Sequence, residues 1–367
     1  THCESSAASD VYKRQTGENE MKNFGFDFSG EIAQLSSGPV GIAIGYEHRK
    51  EEGGFEPDAF IAAGLSSGNA ASPVKGEFEV DEAYLELAIP LADGLDLSAS
   101  LRYSDYSSFG ETTNAKYGLT YSPNEIVTFR ATFAEGFRAP SIADLYSGNN
   151  DSYPDIQDPC DVNAANFTGN TDGTQTGQCL EDGVPTGFTQ PNSQIRVTLG
   201  GNPNVQPEES EGLNLGVIIE PLEGLKLYAD YYEIEITDTI STIGSQLIMN
   251  GCYRENNQVY CGLIDRLSTG FVDDLRNTTN NIGIVETSGF ELAATYDWSD
   301  NFGNWRATSE IAFLDTYDVT KADGSIEHYA GYVTGNGRNQ FKEIKGNFGL
   351  IWNRDVLTLS LSGQYLS

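Results

Sequence analysis

The residue types that most often carry chemistry are few in this chain and widely spaced. Setting Cys3 aside, four cysteines remain, Cys160, Cys179, Cys252 and Cys261, in two locally close pairs. No C-x-x-C occurs and the three histidines, His2, His48 and His328, are scattered, so a zinc site lacks both its sulfur and its imidazole spacing. Disulfides closing loops in an oxidising compartment fit better. Four cysteines allow three connectivities, and proximity alone favours 160–179 with 252–261. Hydrolysis needs a histidine beside a serine or carboxylate at a common level. His48 stands near a strand end and His328 in a loop, each isolated, so no catalytic residue and no enzyme are expected. The acidic stretch DSYPDIQDPCD, Asp151–Asp161, offers oxygen ligands of the kind calcium takes, but its spacing matches no calcium loop, and no metal or cofactor is assigned. Capture of a small ligand is a better use of the segment after the strand that ends at Arg138. Arg138, Tyr146, Asn149, Asn150, Asp151 and Tyr153 combine a cation, two rings and three amide or carboxylate groups there. Each type is also ordinary in a loop, and Arg138 is placed to brace the strand end.

The elements that must hold these residues are strands. In VTFRATFAEGFRAPSIADLY, Val127–Tyr146, one series (Val127, Phe129, Ala131, Phe133) is apolar and the other carries Thr128, Arg130 and Thr132; the alternation stops at Gly136-Phe137-Arg138-Ala139-Pro140. The same period of two recurs about twelve times, in runs mostly about 10–13 residues long, against the five or six usual for globular strands. Short turns sit at 36–39, 92–94, 123–125, 221–224, 299–304 and 353–355. The intervening connections are long, about 51–78, 137–209, 237–285 and 317–338, with only 106–110 brief. Tight and long connections therefore alternate, as an antiparallel up-and-down meander requires. In the long connection after Thr237, the spacing of Ile240, Ile243, Leu247 and Ile248 predicts a helix capped by Thr237 or Asp238, packed on its own loop. In LKLYADYYEIEI the apolar phase flips between Tyr231 and Ile234, which a bulge or emergence from an apolar layer explains equally.

The totals narrow the class. The 367 residues carry a formal net charge of -33, which argues against nucleic acid as a partner. Much of the acid looks loop-borne and solvated. Gly 40, Tyr 19 and Met 2 suit long strands. No run of about 18 apolar residues occurs, so no transmembrane helix is expected. A tilted strand crosses a bilayer in about 9–11 residues, and only a closed barrel hides its edges there. Aromatics near strand ends, Tyr46, Tyr103, Tyr121 and Trp298, fit interfacial girdles. The expected fold is all-β: part of a transmembrane antiparallel up-and-down β-barrel with long extracellular loops. Residues 1–16 read as a non-native, adapter-like leader, and 17–367 as an internal fragment of a longer barrel domain.

Several segments resemble, in order, those of TonB-dependent outer-membrane receptors: VDEAYLELAIPL with RYSDYSSFGETTNAKYGLTYSP, TFAEGFRAPSIADLY, GNPNVQPEESEGLNLGV, LKLYADYYEIEITDTIS and NIGIVETSGFELAATYDW. The resemblance covers about residues 20–367. It implies a 22-stranded barrel filled by an N-terminal plug, of which this chain would supply about twelve strands without the plug. It also implies the outer membrane of a Gram-negative bacterium as location, outer-membrane lipid as surroundings, and an extracellular small ligand, a saccharide or ferric siderophore. Energy would come from the TonB complex acting through the missing plug. A passive porin-like barrel is the alternative; an upstream plug-coding segment in the gene would discriminate.

Overall fold

The computed structural model describes residues 15–332 and 340–367; all but the last two residues of the expected leader, and 333–338 of the expected fourth long connection, lie outside them. Twelve long strands form one antiparallel wall in chain order. They are β1 Thr16–Leu35, β2 Gly38–Glu56, β3 Val74–Ala92, β4 Leu95–Tyr106, β5 Gly110–Tyr121, β6 Val127–Arg138, β7 Glu208–Leu222, β8 Leu225–Thr237, β9 Ile284–Asp300, β10 Gly303–Thr320, β11 Ile344–Arg354 and β12 Leu357–Leu366. Every neighbour in space is a neighbour in sequence, and the sheet does not close: β1 and β12 each pair along one side. The meander and the sorting of connections are as the sequence indicates, with two-residue links such as 36–37, 93–94 and 223–224 at one end and 57–73, 139–207 and 238–283 at the other.

Register fixes the faces, because side chains alternate strictly along a strand. The row Leu119, Ala131, Leu215, Tyr231, Phe290 and Phe313 runs across β5 to β10 on one face, partner to partner. Nothing covers it: Phe129 is 50% exposed and Leu361 72%. An uncovered apolar surface of this extent needs a non-aqueous neighbour, and a bilayer supplies one. The other face is polar, and its groups meet across strands. Arg130 on β6 reaches over Gly216 on β7 to Asp230 on β8, at 2.9 Å through Nε and 2.7 Å through Nη2. A Cβ on Gly216 would lie 2.0 Å from the Asp230 carboxylate, so only glycine leaves this crossing open. At the short-turn end, Tyr296, Trp298, Trp305 and Trp352 stack in sequence with centroids 4.9, 5.7 and 6.0 Å apart, a girdle at the position strand-end aromatics suggest.

One expectation needs correction and two are refined. Several strands are longer than 10–13 residues; β1 has 20, β2 and β3 have 19 and β10 has 18. Their outer ends continue above the apolar band, where β2 and β3 stay paired from Arg49↔Val80 to Phe55↔Val74 and Lys50 bridges Glu77 and Glu79. Apolar alternation stops at the lipid boundary while backbone pairing does not, so the periodicity hid these residues in an expected connection at 51–78. The phase flip in β8 is no bulge: the strand keeps register with both neighbours from Leu227 to Ile236. Glu233 and Glu235 simply carry the apolar face above the band. Finally, the acid is shared between connections and strands; Glu77, Glu79, Glu209, Glu211, Glu233, Glu235 and Glu286 all lie on these strand extensions.

Candidate functional site: the loop crown at the outer mouth

The site begins where β6 ends. Pro140, without an N–H, cannot extend the ladder past Arg138. The Arg138 guanidinium forms a two-pronged pair with Glu208, the first residue of β7, at 2.7 Å through Nε and 2.7 Å through Nη2, with Asp144 at 3.5 Å. Glu208 also accepts the Ile240 N–H at 2.7 Å. One carboxylate thus ties the start of the first long connection, its end and the start of the second. The Arg138 hydrogen bond holds the Glu208 carboxyl below its ordinary range. Arg138 is a brace in this structure.

The chain then crosses above the short β4–β5 hairpin. Ser141 and Asp144 form a capping box on the helical turn Ile142–Tyr146. Phe137 meets Tyr106 edge-on at 5.8 Å and Tyr106 stacks on Phe109 at 4.6 Å, closing a small rim core with Phe78 and Val80. Tyr146 lies flat on β3 at Gly76, where an added Cβ would fall 2.1 Å from the ring. Beyond it the connections join. Asn150 Oδ1 accepts the Ser72 N–H at 3.1 Å, the Asp151 N–H donates to Ala70 at 3.0 Å, and the Asp151 carboxylate pairs with Arg196 at 3.1 Å. Asn149 is exposed and Tyr153 is 42% exposed. Of the six candidate contact residues, Arg138, Tyr146, Asn150 and Asp151 hold the mouth in shape, while Asn149 and Tyr153 present side chains to solvent.

The two long connections fold into one body. A small sheet joins Ile264–Arg266, Val272–Arg276, Val197–Leu199 and Asn150–Ser152, strands drawn from both. Behind it is a core of Ile156, Val184, Val197, Ile248, Met249 and Leu275 with both cystines. The disulfides are Cys160–Cys179 and Cys252–Cys261, the pairing that proximity favours. The helix in the second connection is Ser245–Tyr253, capped at Gly244 rather than at Thr237 or Asp238. Asp238 has positive φ and Ile240–Ser241 pairs with Asn280–Asn281, which consumes the residues expected to begin the helix. It does pack on its own loop body, burying Ile248, Met249, Cys252 and Tyr253.

At the centre lies an ion pair that sequence reading missed. Arg266 and Asp158 are 3% and 1% exposed and joined by two short bonds, 2.7 Å through Nη1 and 2.8 Å through Nη2. Arg266 Nε donates to the Tyr253 hydroxyl at 2.7 Å, and that hydroxyl donates to Asp182 at 2.8 Å. Burial pushes the Tyr253 hydroxyl pKa up. The partners are 108 residues apart, and no local pattern marks either one. Glu208 was also missed, though it sits inside the quoted GNPNVQPEESEG segment.

The carboxylates considered for calcium are dispersed among these duties: Asp151 on Arg196, Asp155 on Ser193, Asp158 on Arg266. Among the described residues no group of three or more metal-ligating side chains is assembled. His48 on β2 pairs with Asp81 at 2.9 Å, and His328, on the short strand Ile326–His328 beside the end of β10, pairs with Asp318 at 2.8 Å.

The family model described as TonB dependent receptor-like, beta-barrel matches residues 4–367. The chain belongs to the TonB-dependent receptor β-barrel family. Solved structures of similar fold are also receptors. The ferric enterobactin receptor PfeA of Pseudomonas aeruginosa aligns with TM-score 0.63 and 16% identity over 95% of this chain and 42% of its own. The siderophore receptor PirA of Acinetobacter baumannii gives 0.57 and 15% over 94% and 42%. The alcaligin outer-membrane receptor FauA of Bordetella pertussis gives 0.53 and 14% over 97% and 48%. No curated protein matches. This TonB-dependent receptor chain spans under half the length of those structures, consistent with an unclosed wall. The family description and the names of these neighbours are those of receptors.

Proposed function

We propose that this chain is the wall and outer mouth of a TonB-coupled importer in the outer membrane of a Gram-negative bacterium, taking up a scarce nutrient of saccharide or ferric-siderophore type. The observation that carries the reading is the division of labour along the strand axis. The middle of the wall offers a continuous apolar face suited to acyl chains. Every long described connection lies at one end, where two of them build a disulfide-tied crown with its own core. A passive pore has no need of such a body over its entrance, whereas a receptor needs a shaped and rigid capture surface. On this reading Asn149 and Tyr153 touch ligand, and Arg138, Tyr146, Asn150 and Asp151 position the surface that does. The proton-driven TonB complex would act through a plug that this chain does not itself supply. Deleting the gene and scoring growth on single limiting nutrients tests the reading. Loss of growth on one saccharide or one chelated iron source, restored by the intact gene but not by Tyr153→Ala with Asn149→Ala, is expected. Unchanged growth on every nutrient would refute it.

A further inference from the structure

We infer that the ligand admitted at this mouth carries no net negative charge and is a neutral or cationic molecule rich in hydroxyl or amine donors. The inference rests on the import reading above and narrows its substrate class.

Three observations point the same way. The connections 139–207 and 238–283 hold thirteen carboxylates, four arginines and no lysine. Three of the arginines are already engaged, Arg196 on Asp151 at 3.1 Å, Arg266 on Asp158 at 2.7 Å and Arg276 on Asp265 at 2.6 Å. The crown therefore has a large surplus of carboxylate and little cation to meet an anion. Below the crown, on the polar face, several carboxylates take neutral donors, with Arg102 also 3.9 Å from Glu82. Tyr84 donates its hydroxyl to Asp27, Asn23 its amide to Glu47 at 3.0 Å, and Ser104 its hydroxyl to Glu82 at 2.7 Å. The arginines of that face at Arg130 and Arg306 are matched by Asp230 and Asp297. One hollow is lined by Asp27, Glu47, Glu86 and Glu135 with Arg102 and Lys116, so acids outnumber bases two to one.

Ionised carboxylates only accept hydrogen bonds. A ligand bearing hydroxyls or amines supplies the missing donors. A ligand with several negative charges would enter a field that repels it, focused between low-dielectric walls, and would shed its water without a compensating cation. Like-charge juxtaposition of this kind is how an entrance rejects the wrong partner.

The test uses the full-length receptor in outer-membrane vesicles, carrying Ser268→Cys at an exposed crown position as its single free cysteine. Reaction of that thiol is timed with a trimethylammonium and a sulfonate thiosulfonate reagent, each normalised to a free thiol. The cation is expected to lead by at least about 10-fold at 50 mM salt and by little at 500 mM. A dye on the same cysteine then reports binding of three probes: a trianionic ferric tris-catecholate, an amine-bearing cationic ferric tris-hydroxamate, and a neutral hexose oligosaccharide. The trianion is expected to bind at least about 10-fold more weakly than the better of the other two, and which of those binds identifies the source of the donors. Equal thiol rates at low salt, or tightest binding by the trianion, overturns the charge inference and leaves import standing. Binding of none of the three removes the import reading and the inference with it.

Discussion

Replacing Arg266 by Met should loosen the crown while leaving the wall intact. The side chain makes two bonds to Asp158, one to the Tyr253 hydroxyl and one to the Gly270 carbonyl, and its charge lies 4.5 Å over the Tyr253 ring. Met fills most of the volume, so packing loss is small. The large term is the Asp158 carboxylate, which stays 1% exposed with its counter-charge gone. Breaking a buried pair from one side costs about 3–5 kcal/mol. At about 1.4 kcal/mol per factor of ten, the open crown becomes roughly 10²- to 4 × 10³-fold more populated. Amide hydrogen exchange should then speed up by that factor in 156–197 and 245–276 and remain unchanged in β4 to β8, since the wall's ladders do not pass through the pair. Replacing both partners, Arg266→Met with Asp158→Leu, should recover most of the protection, because two apolar groups leave no orphan charge. Wild-type exchange in the single variant, or a double variant as loose as the single one, would refute the assignment of this pair as the crown's centre.

Three further outcomes follow from the rim. Gly76→Val places a side chain inside the Tyr146 ring and should cost about 1–3 kcal/mol of crown docking, seen as faster proteolysis within 57–73 and 139–150, whereas Gly30→Val on β1, whose Cβ position is open, should leave that cleavage unchanged. Cys160→Ser removes a cross-link across 19 residues, so the crown should lose about 2–4 kcal/mol of local stability while heat-resistant barrel mobility on a gel is retained. Glu208 has its folded value lowered by Arg138, so its contribution is fully present above pH about 4.5 and is lost as the pH falls through the lowered folded value. The melting-temperature gap between wild type and Glu208→Gln should therefore close on acidification, and a gap that widens below pH 4.5 would contradict the clamp.

The wall was legible in the sequence because each apolar series repeats at a spacing set by backbone geometry, and because tight turns and long connections alternate. Val127 to Phe133 announced their faces without any tertiary information. The strand extensions were not legible, since Lys50, Glu77 and Glu79 pair by charge and backbone above the lipid, where no apolar alternation remains. The crown was half visible. Its cysteines declared local closure, but Arg266 and Asp158 lie in different connections and meet only after both have folded. Helical spacing at Ile240 and Ile243 misled because Ile240 was recruited by a two-residue ladder with Asn281, a long-range contact that overrides local propensity. The candidate contacts were chosen for chemical type, and type alone does not separate Tyr146, seated on Gly76, from Tyr153, open to solvent.

The most direct measurement is a spin-label scan along β6 in native-like lipid, one label at a time from Val127 to Ala134. The structure places Phe129, Ala131 and Phe133 on the uncovered apolar face and Thr128, Arg130 and Thr132 on the face that holds the Arg130–Asp230 pair. Labels on the first set should be reached by oxygen dissolved in the bilayer and shielded from a water-soluble nickel chelate, with the reverse on the second set, in strict alternation. Labels on the first set shielded from both reagents, as in a dry core between two sheets, would contradict a wall that stands in lipid.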